Sequence, residues 1–301
     1  MANVDETVPV CDYEGSDYQD RFWGGGQRAY EDQVERIALR RFLPSRGGRL
    51  LDVGAGFGRL GDEYDGYEQV VLLDYSSTLL HEAQEQWGDD PRFVYVAANW
   101  YQMPFVTGAF DTLVQVRTLH HAADVPLLMR ELARIICNGG DYVLEFANKR
   151  NLKAIGRYWL KKQEWSPFTP EPIEFVALNY NFETNWIRKQ LEAVQFEPGE
   201  MVAVSHFRVG WLKQNVPTNW LVTADKWLQP TGGWLRLSPS VFVHSRRRQG
   251  AAAAKGLFAC PHCKRPLPTP NQPHDALICA HADCQRQWAV DKGVYQFKEP
   301  V

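Results

Sequence analysis

The sequence predicts an α/β protein with a doubly wound, mostly parallel sheet of seven strands and a small module at its C-terminal end. Apolar runs that suit strands covered on both faces alternate with stretches of helical periodicity up to residue 147. The first run, residues 50–53, leads into glycines at positions 54, 56 and 58. Four of the six cysteines lie after residue 259, which sets the C-terminal stretch apart.

The predicted elements follow the order that such a sheet requires. Ser76 and Ser77 are candidate N-caps for the helix at 78–87, and Asn138-Gly139-Gly140 is typical of a glycine stop after the helix at 123–137. The other predicted helices are 27–43, 58–64, 183–194 and a tryptophan-rich helical stretch at 211–235. The predicted strands are 50–53, 69–74, 93–97, 110–116, 141–146, 201–207 and 240–244.

Residues 148–180 interrupt this pattern and are predicted to be an insertion after the fifth strand. A basic amphipathic helix at 149–162 precedes the proline-rich segment 166–172. Two interpretations remain open, namely a helix with a solvated face or a cap over the entrance to the substrate site.

Composition divides the chain into two predicted domains. We expect a main domain at 1–247, a linker at 248–256, where the composition changes abruptly, and a cysteine-rich module at 257–301. Hydrophobic residues at 45%, charged residues at 23% and a net charge of −3 fit a globular protein and do not favour a general nucleic-acid binder. No apolar run approaches the ~20 residues of a membrane span, and the first residues are polar and acidic, so a cytoplasmic location is expected.

An aromatic, glycine-broken segment precedes the first predicted helix. Residues 13–26 contain Tyr13, Tyr18, Phe22 and Trp23 and end in three glycines. Such a polar segment does not form a core element, but its aromatic side chains need a surface to cover. It is either a lid over the ligand pocket or a tail that docks through its aromatic residues.

The glycine-rich turn indicates what the pocket binds. A dinucleotide fingerprint has a small residue three positions after Gly56, where this chain has Arg59. Asp52 lies before the turn, where a dinucleotide-binding strand has an apolar residue. Asp74 ends the second strand, where an acid typically holds ribose hydroxyls. An acid beside the glycines suits a ligand with a positive charge or an amino group, and S-adenosylmethionine has both.

Several motifs, in order and at matching spacing, resemble one family. Residues 51–58 (LDVGAGFG) resemble the first motif of class I S-adenosylmethionine-dependent methyltransferases, and residues 99–105 (NWYQMPF) resemble the segment that lies along the adenine. Residues 110–121 resemble the strand-four motif of the ubiquinone-biosynthesis-like branch, methyltransferase type 11. The resemblance implies a Rossmann-like fold with S-adenosyl-L-methionine as the cofactor.

This resemblance also implies a set of cofactor-binding residues. The family has an aspartate where this chain has Asn99, whose side-chain carbonyl can accept the same hydrogen bond from the adenine amino group without the charge. Tyr30, with Tyr18, is expected to close over the methionine end, as the family's N-terminal segment does. The predicted cofactor-binding residues are Asp52, Gly54, Ala55, Gly56, Asp74, Tyr75, Asn99, Trp100, Arg117 and Tyr30.

The family's chemistry implies in-line displacement at the sulfonium methyl group, in which the protein supplies proximity and orientation. A base is needed only if the nucleophile loses a proton near the transfer. His120 and His121 follow the fourth strand at the rim of the pocket, so each is a candidate base or a packing residue.

Three functions remain open at this point. The ubiquinone-branch resemblance, the near-neutral charge and the tryptophan-rich 211–235 stretch favour methyl transfer to a small-molecule or lipid-like acceptor. The C-terminal module and the basic residues at 149–162 and 246–248 are compatible with an RNA methyltransferase. A scaffold without activity is disfavoured by the intact glycine motif and Asp74.

The C-terminal cysteines have the spacing of a metal site. Cys260 and Cys263 form C-x2-C, and Cys279 and Cys284 follow after fifteen residues as C-x4-C. Two such pairs can converge on a tetrahedral thiolate site that suits one structural Zn²⁺, with His281 as an alternative ligand. The module resembles the zinc ribbon known as an activator subunit of tRNA and release-factor methyltransferases, here fused in cis. Stabilisation, docking to the main domain and substrate capture are its expected roles.

Overall fold

The computed structural model describes residues 8–15, 28–268 and 276–301. The helices are α1 (Ala29–Phe42), α2 (Ser77–Trp87), α3 (Val125–Ile135), α4 (Leu152–Trp159), α5 (Thr184–Ala193), α6 (Gly210–Asn215) and α7 (Thr218–Leu228). The strands are β1 (Gly47–Val53), β2 (Tyr67–Asp74), β3 (Phe93–Ala97), β4 (Phe110–Gln115), β5 (Ile136–Ala147), β6 (Ile173–Val176), β7 (Asn179–Asn181), β8 (Phe196–Val204), β9 (Ser240–Arg247), β10 (Leu277–Ile278), β11 (Gln287–Trp288), β12 (Val290–Asp291) and β13 (Val294–Gln296). Short 3-10 helices lie at Gly61–Glu63, Trp100–Gln102, Leu119–His121 and Gln229–Gly233.

Nine strands of the described residues form one sheet, in the order β12-β13-β3-β2-β1-β4-β5-β9-β8. Strands β3, β2, β1, β4 and β5 lie side by side in this order and are parallel, so crossover connections join them. Strand β9 runs antiparallel between β5 and β8. The seven strands from β3 to β8 therefore confirm the predicted doubly wound α/β sheet.

Hydrophobic side chains cover both faces of this sheet. Along β1, Leu50 belongs to a core shared with α1, α2 and α7, whereas Leu51 belongs to a second core shared with α3 and α5. Both side chains are fully buried. Successive side chains of a strand point to opposite faces, so a strand buried on both sides appears in the sequence as a continuous apolar run.

One predicted boundary is wrong. Helix α3 ends at Ile135 and β5 begins at the next residue, so Asn138-Gly139-Gly140 lies inside the strand and does not stop the helix. The pairing with β4 shifts register at this point. Gly139 has a φ of +78°, and a Cβ at Gly140 would lie 2.8 Å from the carbonyl oxygen of Asp111. The glycines are therefore needed for a bulge in the strand.

Two other elements differ in extent from the prediction. The strand expected at 201–207 is β8, which begins at Phe196 and ends at Val204. The helix expected at 58–64 is reduced to the single 3-10 turn at Gly61–Glu63. None of the described helices is both long enough and apolar enough to cross a membrane.

The insertion after β5 contains α4 and the β6–β7 hairpin. Helix α4 buries Ala154 and Ile155, whereas Leu152 is 65% exposed and Trp159 is 73% exposed. Lys149 was expected to contribute to the basic face but is buried, and its ammonium group donates hydrogen bonds inside the insertion. The exposed face of α4 is thus apolar as well as basic.

The C-terminal module continues the main sheet. Strand β13 pairs in parallel with β3, and the Phe297 N–H donates to the carbonyl oxygen of Ala97 at 2.7 Å. Phe258 packs against Phe105 of the main domain, with ring centroids 6.2 Å apart, and both lie in the core that contains α3. The module and the main domain therefore share one hydrophobic core.

The segment predicted as a linker, residues 248–256, is hydrogen-bonded to the main domain along its length. The Asn138 N–H donates to Ala251 at 2.8 Å, and the Ala254 N–H donates to Gly108 at 2.9 Å. The division into domains at these bounds therefore stays a prediction, which rests on sequence composition. In the structure, the hydrogen bonding and packing continue across the predicted linker.

Candidate active site

The turn after β1 is held against the ends of β2 and β4. The N–H groups of Gly54 and Ala55 both donate to the carbonyl oxygen of Leu73, at 2.7 and 2.9 Å. Gly54 has a φ of +74°, and a Cβ there would lie 2.5 Å from the methyl carbon of Thr118. Only glycine fits this position, so the bare backbone forms the wall of the pocket.

Asp74 lies beside this turn at the end of β2. Its carboxylate accepts hydrogen bonds from the N–H groups of Gly56 at 2.8 Å and Ser76 at 2.9 Å. Burial raises the pKa of Asp74, and the backbone hydrogen bonds oppose that increase. Each oxygen keeps a lone pair that can accept from a hydroxyl group, which is compatible with the predicted ribose contact.

Aromatic residues enclose the space beyond Asp74. Tyr75 and Trp100 line one cavity together with Leu73 and Ala98. The Trp100 indole N–H is buried and has no hydrogen-bond partner among the described residues. A flat, mostly apolar site with one orphan donor suits a heteroaromatic base.

Asp52 lies buried beneath the glycine turn. The Tyr64 hydroxyl donates to its carboxylate at 2.8 Å. Burial raises the pKa of Asp52 to about 7, while the Tyr64 hydrogen bond and the charge of Arg59 act in the opposite direction. A cation bound beside this carboxyl would lower its pKa again and favour the ionised form.

Two glutamates hold Arg117 at the end of β4. Its N–H donates to Glu145 at 2.7 Å, and its guanidinium Nε donates to Glu35 at 2.6 Å. Arg117 has a φ of 60°, a left-handed conformation that costs roughly 1–2 kcal/mol in a non-glycine residue. The surrounding hydrogen bonds stabilise that conformation, as is common at functional sites.

His121 lies in the short helix that follows Arg117. Its Nδ1 is 2.9 Å from the carbonyl oxygen of Leu178, which assigns the proton to Nδ1 and leaves Nε2 to accept from the Tyr13 hydroxyl at 3.1 Å. Burial lowers the pKa of His121 below 6.5, so the ring is neutral at pH 7. His120, with its ring centroid 4.0 Å from that of His121, also has a lowered pKa, caused by burial and by the nearby cations.

Two predicted cofactor-binding residues, Tyr30 and Asn99, do not line the cavities that contain Asp52, the glycine turn and Asp74. The Tyr30 hydroxyl is buried, donates to Asp225 at 2.6 Å and accepts from the Phe207 N–H at 3.0 Å. Tyr30 therefore ties α1 to α7, while Tyr18 lies outside the described residues. The Asn99 side-chain oxygen accepts from the Tyr101 N–H at 2.9 Å and so caps the adjacent 3-10 helix.

Several residues of the site were not singled out from the sequence as ligand-binding. Cys11 and Tyr13 line the cavity that contains Asp74, and Thr118 lines it from the loop after β4. For Tyr13 the sequence offered one signal, because this residue lies in the aromatic segment predicted as a lid or a docked tail. Arg208 had none, because it lies in an irregular loop between β8 and α6.

Three adjoining cavities meet at Tyr13 and His121, which line all of them. The first contains Asp74 and the aromatic pair, and the second contains Asp52, the glycine turn, Arg59 and Arg117. The third has a volume of about 230 Å³ and contains His120, Glu145 and Arg208. The first two suit S-adenosylmethionine, because they combine an orphan indole donor, a bare-backbone cradle and a buried acid. The third provides separate space for an acceptor.

The four C-terminal cysteines converge. Their sulfur atoms all lie within 4.8 Å of one another, with 3.7 Å between Cys260 and Cys284 and 3.5 Å between Cys263 and Cys279. Thiolates about 2.3 Å from a tetrahedral zinc lie roughly 3.8 Å apart, so the donor set fits this metal. All four thiols are free, and His281 is not part of the cluster.

The central part of the chain is similar to known proteins. Residues 51–144 match the family described as "Methyltransferase domain". A malonyl-[acyl-carrier protein] O-methyltransferase of Legionella pneumophila is 26% identical over 135 residues, which is 44% of this chain and 46% of that protein. A demethylmenaquinone methyltransferase of Clavibacter sepedonicus is 29% identical over 115 residues, or 38% of this chain and 47% of that protein. The chain spans about half the length, or less, of the curated relatives it matches.

Solved structures share the fold over most of the chain. An S-adenosylmethionine-dependent methyltransferase from Mesorhizobium loti is 23% identical, with a TM-score of 0.52 over 72% of this chain and 100% of that one. A chain from the complex between the Haloferax volcanii Trm112 methyltransferase activator and its putative methyltransferase is 16% identical, with a TM-score of 0.53 over 77% of this chain and 95% of that one. Residues 51–144 thus match a methyltransferase-domain family model, and the chain has the Rossmann-like fold that S-adenosylmethionine-dependent methyltransferases share.

Proposed function

We propose that the protein transfers the methyl group of S-adenosylmethionine to a small-molecule or lipid-like acceptor by in-line displacement. The observation that carries this proposal is the meeting of three cavities at Tyr13 and His121. Two of them combine the glycine turn with the buried acids Asp52 and Asp74, and the third adds His120, Glu145 and Arg208, which line neither of the other two. A cofactor and an acceptor bound in these spaces would meet at one point.

We assign the cofactor contacts by chemistry. Asp74 accepts from ribose hydroxyls, Tyr75 and Trp100 enclose the adenine, and the Trp100 N–H donates to the ligand. Asp52 balances the charge of the methionine ammonium group, and the backbone of the glycine turn lies along the ligand. We assign Arg117 to the methionine carboxylate, because Arg117 lines the second cavity together with Asp52 and the glycine turn.

When bound, S-adenosylmethionine supplies a methyl group that is already activated by the positive sulfur. The protein then contributes proximity, orientation and exclusion of water. We assign His121 Nε2 as the final proton acceptor, because the Leu178 carbonyl fixes the proton on Nδ1 and the ring is neutral. The Tyr13 hydroxyl, which donates to Nε2, passes its proton to that nitrogen and takes up the proton of the methyl acceptor. Tyr13 orients this nitrogen and closes the site from the N-terminal side.

Two observations favour a small-molecule or lipid-like acceptor. The relatives include enzymes named for malonyl-[acyl-carrier protein] and for demethylmenaquinone. In addition, most of the exposed large apolar side chains of the described chain lie between residues 152 and 235. One of them, Phe175, also lines the third cavity and is 52% exposed. An apolar surface of this kind at a cavity entrance suits a hydrophobic ligand.

We also propose that Cys260, Cys263, Cys279 and Cys284 bind one structural zinc ion. Four thiolates leave no open position for a water molecule, which supports a structural and not a catalytic role. Metal analysis of protein purified without added zinc should give one zinc per chain. Clearly less than one zinc in folded protein would contradict the assignment.

A second candidate is an RNA methyltransferase. The exposed residues Arg157, Lys161 and Lys162 near the end of α4 support it. Phosphate contacts predict RNA binding that weakens steeply with salt. Absent or salt-independent binding to total RNA would remove this candidate.

Calorimetric titration with S-adenosylmethionine and with NAD tests the cofactor, followed by transfer of labelled methyl groups to fractionated cell extract. We expect S-adenosylmethionine to bind and NAD not to bind, and the label to enter a low-molecular-weight or lipid fraction. Binding of NAD alone would refute the proposed function. Label found only in RNA would favour the second candidate.

A further inference from the structure

The third cavity has a charge pattern that methyl transfer does not itself require. Three guanidinium groups line it, those of Arg28, Arg117 and Arg208. The side-chain amides of Asn179 and Asn181 add further hydrogen-bond donors. Glu145 is the single carboxyl group among the described residues that line this cavity.

The carboxyl groups of this region are already engaged. Glu145 accepts from the Arg117 N–H at 2.7 Å and from the Ser240 hydroxyl, and burial raises its pKa. Glu35 accepts from Arg117 at 2.6 Å and from Arg59 at 3.1 Å. These contacts direct the negative charge of Glu35 and Glu145 to Arg117 and Arg59.

Arg208 is the cation that these acids do not neutralise. Its nearest carboxylate oxygen within the described ranges is on Glu31, 4.0 Å away, and that carboxylate already accepts from Lys213 at 2.8 Å. No hydrogen bond of the Arg208 guanidinium is formed within the described ranges. Partial desolvation in the cavity and the neighbouring charge of Arg117 lower the pKa of Arg208, although 44% of its side chain remains exposed at the cavity entrance.

Arg208 and Arg28 are also separate from the cofactor side. Both line the third cavity, and neither lines the two cavities that contain Asp52, the glycine turn and Asp74. Arg59 and Arg117, by contrast, line the second cavity. The methionine carboxylate therefore has its own cations, and Arg208 and Arg28 line a separate space.

We propose that the acceptor carries a negatively charged group, a carboxylate or a phosphate, and that Arg208 binds this group together with Arg28. The planar guanidinium matches both anions with paired N–H donors. Neutral acceptors would leave the Arg208 charge unbalanced, and cationic acceptors would be repelled, so the cavity selects acidic molecules. This inference names the substrate class of the proposed function and rests on it.

The test titrates simple anions into the full-length protein saturated with S-adenosylhomocysteine. Inorganic phosphate and malonate are the two probes, at constant ionic strength with chloride as the balancing anion. We expect saturable binding of at least one probe to wild-type protein and at least about tenfold weaker binding to Arg208→Gln. The tighter of the two probes identifies the anionic group as a phosphate or a carboxylate.

Arg130→Gln is the matched control, because it removes the same charge from an exposed position on α3. It should bind both probes like the wild type. Arg208→Lys keeps the charge without the paired donors and should fall between the wild type and Arg208→Gln. Arg28→Gln serves as the second variant if Arg208→Gln does not fold.

Three results would overturn the inference. The first is that neither anion binds saturably to the loaded wild type, and the second is that Arg208→Gln and Arg130→Gln bind the probes equally. The third is that Arg208→Gln weakens S-adenosylhomocysteine itself about tenfold, since Arg208 would then hold the methionine carboxylate. A wild type that does not bind S-adenosylhomocysteine would instead refute the proposed function. The same anion titration on the ligand-free protein would then still decide the role of Arg208.

Discussion

The cofactor side and the acceptor side of this site are built in different ways. On the cofactor side, backbone N–H groups of residues 54–56 contact the end of β2, and Asp74 is fixed by the N–H groups of Gly56 and Ser76. On the acceptor side, Tyr13 meets His121 across 108 positions of sequence, and Ser240 meets Glu145 across 95. The first side depends on backbone geometry and the second on side chains brought together by the whole fold. Substitutions can therefore change the acceptor while the cofactor site is retained.

The largest predicted effect concerns Asp74. Asp74→Ala removes the proposed ribose contact and the acceptor of two backbone hydrogen bonds, so the affinity for S-adenosylhomocysteine should fall about 100-fold. Calorimetric titration measures it, with the exposed Asp89→Ala as a control. Binding of phosphate or malonate should change far less. An unchanged cofactor affinity would show that the two sides do not divide as described.

A pH titration should reveal Asp52. Burial raises its pKa to about 7, and only the ionised carboxyl attracts the ligand's ammonium group. Affinity should therefore weaken about tenfold between pH 8 and pH 6, because the ionised fraction falls through this interval. The effect of pH on folding stability has the opposite sign. Because folding raises the pKa of this carboxyl group, its contribution favours the folded state at lower pH. Asp52→Asn should bind more weakly and lose this pH dependence, and an identical pH dependence in the variant would exclude Asp52 as its source.

The C-terminal module should contribute less than Asp74 or Asp52 to the free energy of cofactor binding. Lys298 lies 5.2 Å from the Tyr75 ring centroid and 3.1 Å from the Glu14 carboxylate, which accepts from the first N–H groups of α2. Removing one cation–π contact and one exposed ion pair should cost about 1 kcal/mol. Lys298→Gln is thus expected to weaken S-adenosylhomocysteine about fivefold, and the exposed Lys292→Gln should have no effect. If the two variants bind S-adenosylhomocysteine equally well, the C-terminal module does not contribute to the cofactor site.

The smallest predicted effect is on the exposed surface of the acceptor side. Trp159→Ser removes a side chain that is 73% exposed, so the free energy of unfolding should change by no more than about 0.5 kcal/mol. Leu72→Ala, in the buried strand of the cofactor side, should cost about 2–5 kcal/mol. Chemical denaturation measures both. A large loss for Trp159→Ser would mean that this tryptophan is covered in solution.

The same contrast explains what the sequence could predict. The glycine turn, Asp74 and the seven strands follow from local patterns, because backbone conformation and strand burial constrain nearby residues. Tyr30 shows the limit, since its neighbours do not reveal that its hydroxyl reaches Asp225, 195 positions away. Arg208 could not be selected for a similar reason. Its significance comes from the carboxylates that other cations already occupy, and only the folded arrangement shows which these are.

The pairing of β13 with β3 has a consequence for synthesis of the chain. Until residues 294–296 have left the ribosome, the outer edge of β3 lacks its partner strand. An unpaired strand edge is a template for pairing with another polypeptide, and nascent domains begin to fold before translation ends. Premature termination before residue 294 should therefore yield a species that aggregates and is degraded. The main domain depends on the last part of the sequence to protect a strand translated much earlier.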